Sequence, residues 1–354
     1  MERYPREIQL YLASLYLARK DAGLDWGALP LDRVGLYDGV ARPTLAFWYE
    51  RMRAAEGKSP REAYSRRDLM VALPGQAVGL GASLLKVRGP TYTYTSTCSS
   101  GAVAIGHAMR EIQFGGIDVA LATGHESSLV APLFAMYRDA GLISAEQADP
   151  RQAISPYVAH TTNAFGEGAV TLVLEERSHA ERRGATILAS LESYSYGNNG
   201  MHPTSIDVLG VRPTEVIDRL FDGETNRTDD VSFVVGHGNG VRRSDVSEEN
   251  YMRRLFGRRA AEVPLLSVKP IYGHNLGASS AMSAAATIMM LHNDFVIPTI
   301  NIDQSRARRV THHPSAGVAQ PCQLGVAMSY GMGGQNAALL FRKHEKAEAK
   351  RLAG

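Results

Sequence analysis

Cysteine is nearly absent from this 354-residue chain: only Cys98 and Cys322 occur, without paired spacing. That scarcity excludes a disulfide framework and a Cys/His zinc site as organising features. Long hydrophobic runs are missing as well, and no stretch approaches the roughly 20 consecutive apolar residues of a membrane span. No charged-then-apolar segment opens the chain as a secretory signal would, so the cytoplasm is the expected location. Nor is charge of one sign in excess. A formal net charge of +2 is too small for a nucleic-acid or membrane-surface footprint.

What is there, 44% hydrophobic and 21% charged residues, describes a globular protein with a sizeable core in one large or two medium domains. Arginine pairs recur at Arg66–Arg67, Arg182–Arg183, Arg242–Arg243 and Arg253–Arg254. Most read as solvated faces; the rest offer a footprint for an acidic carrier protein.

Residues 5 to 22 carry an amphipathic helical stripe through Ile8, Leu12 and Leu15, stopped by Gly23. A short strand ends at Gly39, helices follow in TLAFWYERM and from Gly75 to Leu85, and RGPTYTYTSTC alternates as a strand. DVALATG, residues 118 to 124, reads as a buried strand. Strands alternating with helices predict an α/β architecture with a mainly parallel sheet. Residues 125 to 168 hold no long periodic segment and read as an insertion or cap. From 168 onward come strand, helix and strand; from Thr214 helix, strand, helix, strand (LLSVKP) and an Ala-rich helix, closed by LGVAMSYG and QNAALLFRK. The second half repeats the first in order of elements. The expected division is 1–186 for an N-terminal half, 187–345 for a C-terminal half and 346–354 for a charged tail.

Cys98 ends the TYTYTST run and opens an Ala-rich helix. The unpaired amides and dipole of a helix N-terminus there would stabilise a thiolate and hold a developing oxyanion. His237 (FVVGHGNG) and His274 (SVKPIYGHNLGASSAM) lie in glycine-flanked turns after predicted strands, where α/β sheets collect their site residues. Lys269, just before His274, places a positive charge nearby. Each has a blander reading: a lone Cys is a small hydrophobe, a His in a Gly turn is often only hydrogen-bonded, and a helix of small residues is a packing device.

STCSSGAVAIGHAM, GHGNGVRRSD, SVKPIYGHNLGA and SYGMGGQNAALLF together, in that order, resemble the condensing enzymes of the β-ketoacyl-acyl carrier protein synthase family. RGP, VTLVLEE with ERRGA, HPTS at 202–205 and IPTIN at 297–301 add to the likeness, which runs from about Tyr4 to Arg342. The resemblance implies a thiolase-like duplicated αβαβα five-layer fold, dimeric through the strand before Cys98. It implies that Cys98 accepts an acyl group from a carrier-protein or coenzyme A thioester. The amides of Cys98 and Tyr330 would form the oxyanion hole. His237 and His274 would promote decarboxylation of a malonyl thioester and hold the enolate through their N–H groups, and Lys269 would organise the His274 side. Asn239, Val241, Thr204, Tyr330 and Met332 would meet the substrate or its pantetheine arm. No metal or resident cofactor is implied, since the phosphopantetheine arm arrives on the acyl carrier protein.

The chain also departs from the pattern. The family's glycine-ended first strand has no counterpart here and is expected inside the first sheet. Asn239 and Val241 stand where the family has Thr, and Val241 cannot donate a hydrogen bond. Tyr330 and Met332 replace Phe at a gate beside the thiol, which favours an acyl chain other than a plain saturated one. His125 and Glu126 follow a glycine where another glycine is common, with His125 read as structural, and Ser283 stands for a usual Glu, weakening the polar network around Lys269. These changes favour a specialised polyketide or polyene pathway. The alternatives are a condensing-fold acyltransferase that does not decarboxylate, and a chain-length-type partner subunit of a heterodimer.

Overall fold

The computed structural model describes residues 4–143, 149–158, 161–222, 228–302 and 316–345; the expected tail at 346–354 lies outside them. The first half runs α1 (Arg6–Asp21), β1 (Val34–Gly39), α2 (Leu45–Ala54), α3 (Pro60–Ala63), α4 (Arg66–Ala72), α5 (Gln76–Leu85), β2 (Thr91–Tyr94), α6 (Ser100–Gln113), β3 (Val119–Glu126), α7 (Ala131–Asp139), β4 (Gly168–Glu175) and α8 (Arg177–Arg182). The second runs β5 (Ala189–Asn198), α9 (Val211–Asp218), β6 (Val231–Val235), α10 (Arg242–Phe256), β7 (Leu265–Leu266), α11 (Lys269–Tyr272), α12 (Ser279–Asn293), a short β8 (Phe295–Val296) and β9 (Val318–Ala319) ladder, β10 (Leu324–Gly331) and β11 (Gln335–Lys343).

Two sheets result, ordered β2-β1-β3-β4 and β5-β11-β10-β6-β7. In the first, β1 is parallel to β2 and β3, and β4 is antiparallel to β3. In the second, β6 is parallel to β7 and β10, and β11 runs antiparallel to both β10 and β5. The two orders superpose strand for strand, β2-β1-β3-β4 on β7-β6-β10-β11, with β5 left over. The strand missing from the first half therefore belongs beyond β4, at the sheet's edge. The expectation of an interior gap is corrected: β1 and β3 pair directly, so the interior ladder is continuous.

The central strands are continuous apolar runs because both their faces are covered, and every residue of β1 and β3 is buried. α6 and α12 lie between the two sheets, while α1 and α5 cover the far face of the first sheet and α9 and α10 that of the second. This is the αβαβα layering. The small residues of the middle helices serve close packing, as the bland reading had it. A Cβ on Gly101 would meet Ala281 at 2.9 Å, and Ala102, Ala104, Ala281 and Ala284 are fully buried.

Three details differ from the sequence reading. β2 is only four residues long, because the chain leaves the ladder at Thr95 to form the turn that carries Cys98. The LLSVKP strand is reduced to Leu265–Leu266. The supposed cap at 125–168 contains α7, whose nine residues span too few turns for a visible period. Among the described residues no single helix is long and apolar enough to cross a membrane.

Candidate active site

Cys98 occupies a single tight turn, Thr97–Ser99, that runs directly into α6. Thr97 sits at φ 49°, a left-handed conformation that costs a β-branched residue about 1–3 kcal/mol. The turn is held in place locally. Ser96 donates its amide to Ser100 Oγ at 2.8 Å, and Ser100 Oγ donates to the Thr97 carbonyl at 2.6 Å. Ser329 Oγ donates to the Cys98 carbonyl at 3.2 Å, which ties the turn to β10. Gly331 is required there, because a Cβ would strike Thr97 Oγ1 and the Ser96 carbonyl.

The thiol is 4% exposed and lies in an apolar cluster with Val130, Leu133, Tyr137 and Leu276, bordered by Phe165. Burial pushes its pKa up to about 11, while the charges of Arg42 and then Lys269 pull it back. The stabilisation of a thiolate expected from the helix N-terminus is therefore opposed by burial. Desolvation outweighs the helix N-terminus, and Cys98 rests as a thiol.

His237 and His274 converge, with ring centroids 5.4 Å apart and planes at 86°. Tyr330 donates its backbone N–H to His237 Nδ1 at 3.3 Å, so Nδ1 is an acceptor and Nε2 carries the proton. His274 has the opposite tautomer. Asn163 donates through Nδ2 to the Leu142 carbonyl at 3.0 Å, which turns its Oδ1 toward His274 Nδ1 at 3.3 Å. Nδ1 must donate, and the buried Nε2 is left with a lone pair and no partner among the described residues. Both rings are pushed well below the usual histidine pKa, by burial first and the Lys269 charge second. The two imidazoles are neutral and present unlike ends.

The Tyr330 amide is thus engaged by His237 and is not a free oxyanion donor, contrary to the sequence reading. Two residues on, the amide of Met332 has no acceptor among the described residues. Met332 is held nearby, its carbonyl accepting from Thr97 Oγ1 at 3.3 Å and its sulfur from Tyr137 Oη at 3.2 Å.

Lys269 is buried, and its Nζ donates to the carbonyl of His237 rather than to the His274 side. Its carboxylate counterpart is Glu248 on α10, which accepts from the Gly238 amide at 2.6 Å. Burial lowers the Lys269 pKa and raises that of Glu248, and the attraction between the two opposes both shifts. Glu248 supplies the acid that Ser283 lacks. It was missed in the sequence, although Asp245, Glu248 and Met252 follow a helical stripe that is buried here.

The remaining predicted residues are spread out. Asn239 Oδ1 accepts from the Val241 amide and Ser244 Oγ, so only its Nδ2 is available to a ligand. Val241 is buried at the start of α10. Thr204 is exposed and pairs with His202 Nδ1 at 2.9 Å, in a loop whose Pro203 carbonyl accepts from Gly333. His125 is structural: Nδ1 meets Asp38 at 2.7 Å and Nε2 meets Glu7 at 3.6 Å. Burial would lower its pKa, but these carboxylates prevail and push it up to about 10. Glu126 accepts from the amides of Ala41 and Gly277. A cavity of ≈ 570 Å³ lined by residues of β4 and α12 shares no residue with the Cys98 cluster.

Known proteins resemble this chain in sequence and fold. The family model described as the N-terminal domain of β-ketoacyl synthase matches residues 1–180, and the C-terminal domain model matches 188–303. A putative polyketide β-ketoacyl synthase 1 of Streptomyces halstedii is 30% identical over 309 residues, 86% of this chain and 73% of that one. The 3-oxoacyl-[acyl-carrier-protein] synthase 2 of Rhizobium meliloti is 30% identical over 295 residues, 81% of this chain and 70% of that one. A type II polyketide ketosynthase, solved with its acyl-carrier protein and bound to the hexaketide, superposes with a TM-score of 0.90 at 24% identity. That alignment covers 96% of this chain and 85% of that one.

Proposed function

From the premise that this chain belongs to the β-ketoacyl synthase family, we propose that it condenses an acyl group held on Cys98 with a malonyl thioester, releasing carbon dioxide. The observation that carries this reading is the pair of neutral imidazoles 5.4 Å apart, one offering a proton and the other a lone pair.

In the first half-reaction the Cys98 sulfur attacks the carbonyl of an acyl thioester borne on the phosphopantetheine arm of an acyl carrier protein. Its proton passes through His274 Nε2 to the departing pantetheine sulfur, so no charge accumulates on the buried ring. The amides of Cys98 and Met332 hold the oxyanion as it forms, where a fixed donor is worth most. In the second half-reaction the malonyl carboxylate leaves as carbon dioxide, and its bonding electrons become an enolate. His237 Nε2–H donates to the enolate oxygen. The enolate carbon attacks the acyl-Cys98 carbonyl, and the tetrahedral adduct expels the Cys98 thiolate. The thiolate takes up one proton from solvent by way of His274, replacing the one lost to the pantetheine sulfur in the first half-reaction, and a 3-oxoacyl thioester is left on the carrier. Lys269 and Glu248 position His237 and touch neither substrate. This is covalent catalysis with ping-pong kinetics, and the only prosthetic group it calls on is the carrier's own arm.

The Nδ2 of Asn239 and the exposed Thr204 rim are the donors offered to that arm. β2 is the open edge of its sheet, with Tyr92 exposed, and supports pairing with a second ketosynthase-fold subunit, identical or not. The cytoplasm, where carrier-borne thioesters are made, is the proposed location. Mass spectrometry with acyl carrier protein, with and without malonyl carrier protein, tests the reading. Acylation of Cys98 followed by chain extension supports it. Acylation alone points to a non-decarboxylating acyltransferase, and neither points to a partner subunit.

A further inference from the structure

Arg42 follows β1 in a loop that two buried carboxylates clamp from either side. Glu126 accepts the Ala41 amide at 2.9 Å, and Glu7 accepts the Thr44 amide at 3.0 and 3.2 Å. Thr44 is held at φ 65°, a strained left-handed conformation that persists only where the surroundings over-determine it. The loop is built to present a side chain. What it presents is a guanidinium on the wall of the Cys98 cluster. Arg42 Nη2 donates to Tyr137 Oη at 2.7 Å, and its charge lies 5.4 Å from the centre of that ring. Tyr137 packs edge-on against Phe165 at 4.7 Å and donates to Met332 Sδ. Among the charges that pull the buried Cys98 thiol back toward ionisation, Arg42 ranks ahead of Lys269.

The other terminal nitrogen is the telling one. Among the described residues Arg42 Nη1 is cut off from solvent and has no acceptor, and the guanidinium's side-chain partner is the Tyr137 hydroxyl. A desolvated cationic N–H without a partner is costly. In a binding pocket that cost is recovered when a ligand brings the acceptor.

We propose that Arg42 Nη1 binds an oxo oxygen of the acyl chain near the thioester, so that the pocket selects 3-oxoacyl groups over saturated ones. This rests on the acyl-Cys98 reading and extends it to the substrate. A saturated chain leaves the N–H buried and unpaired, whereas a carbonyl oxygen satisfies it without adding a second charge to a site that must stabilise an enolate. Arg42 is a specificity residue, and no bond to it forms or breaks.

The test measures Cys98 acylation by intact mass, using hexanoyl, 3-oxohexanoyl and adipoyl pantetheine thioesters on the wild-type protein, Arg42→Met and Arg42→Lys. The expected result is a wild-type preference for 3-oxohexanoyl over hexanoyl of on the order of tenfold to a hundredfold, the range for a hydrogen bond to a charged group. Arg42→Met brings that ratio to about one and Arg42→Lys keeps part of it. A general effect on thiol reactivity or folding cancels in the ratio. Equal wild-type rates, an unchanged ratio in Arg42→Met, or a preference for adipoyl over 3-oxohexanoyl would each overturn the proposal while leaving the acyl-Cys98 reading standing. If no thioester acylates Cys98 although iodoacetamide alkylates it, both fall together.

Discussion

Lys269 and Glu248 grip the two ends of a single peptide plane. The ammonium takes the carbonyl of His237 and the carboxylate takes the amide of Gly238, the two polar groups of one peptide unit. With the Tyr330 amide on Nδ1, the clamp leaves the His237 ring one orientation, with its N–H toward the pocket. Removing one member of such a buried charge pair typically costs about 3–5 kcal/mol. Glu248→Gln is expected to lower the denaturation midpoint and to depress condensation more than acylation. A radiolabelled condensation assay beside intact-mass acylation reads the split; equal losses in both would remove Glu248 from the positioning of His237.

The unlike tautomers make the two histidines separable. His237→Ala, which removes the enolate's donor, is expected to lower condensation by on the order of a hundredfold or more and acylation far less. His274→Ala, which removes the proton relay of the thiol, is expected to slow both half-reactions. Single-turnover acylation and condensation on each variant decide it. Identical profiles would mean that the two rings share one role.

Because burial pushes Cys98 up to about 11, its alkylation by iodoacetamide is expected to keep accelerating with pH through 9 and beyond. Lys269→Met removes a cation that favours the thiolate and is expected to move the profile higher still. A plateau below pH 8 would show a resting thiolate and contradict the burial argument.

His125 titrates with its folded-state pKa raised, to about 10, against about 6.5 in an unfolded chain. A raised pKa means that the folded state holds the proton more tightly. Its stabilising contribution is complete below about pH 6.5 and is lost as pH rises through about 10. His125→Gln leaves Asp38 and Glu7 buried without their cation. Urea midpoints of the wild-type and variant proteins are expected to differ widely at pH 6 and to converge toward pH 10. A gap independent of pH would show that His125 is neutral in the fold.

The α/β alternation was legible in the sequence because its determinants are local or periodic, while the layering followed from the family resemblance. The apolar run of β3, the Ala-rich helices and the glycine-bounded turns each announce an element, and their repetition in order announces the second half. The turn carrying Cys98 was readable for the same reason, since an alternating strand stopping at a small-residue helix leaves little choice. Other residues left no such trace. Arg42 sits in a short loop, Asn163 and Tyr137 fall in a stretch without a period, and Glu248 looked like one more charge on a polar helix.

The sequence by itself determined the architecture, the thiol and the two histidines, since these reside in hydrophobic period and in motif. Only the tertiary structure decided the protonation states and the partners. Those depend on burial and on groups brought together from distant positions: Tyr330 against His237, Asn163 against His274, Glu248 and Lys269 across one peptide, Arg42 against Tyr137. A pKa or a tautomer belongs to a neighbourhood in space, and no periodicity along the chain encodes it.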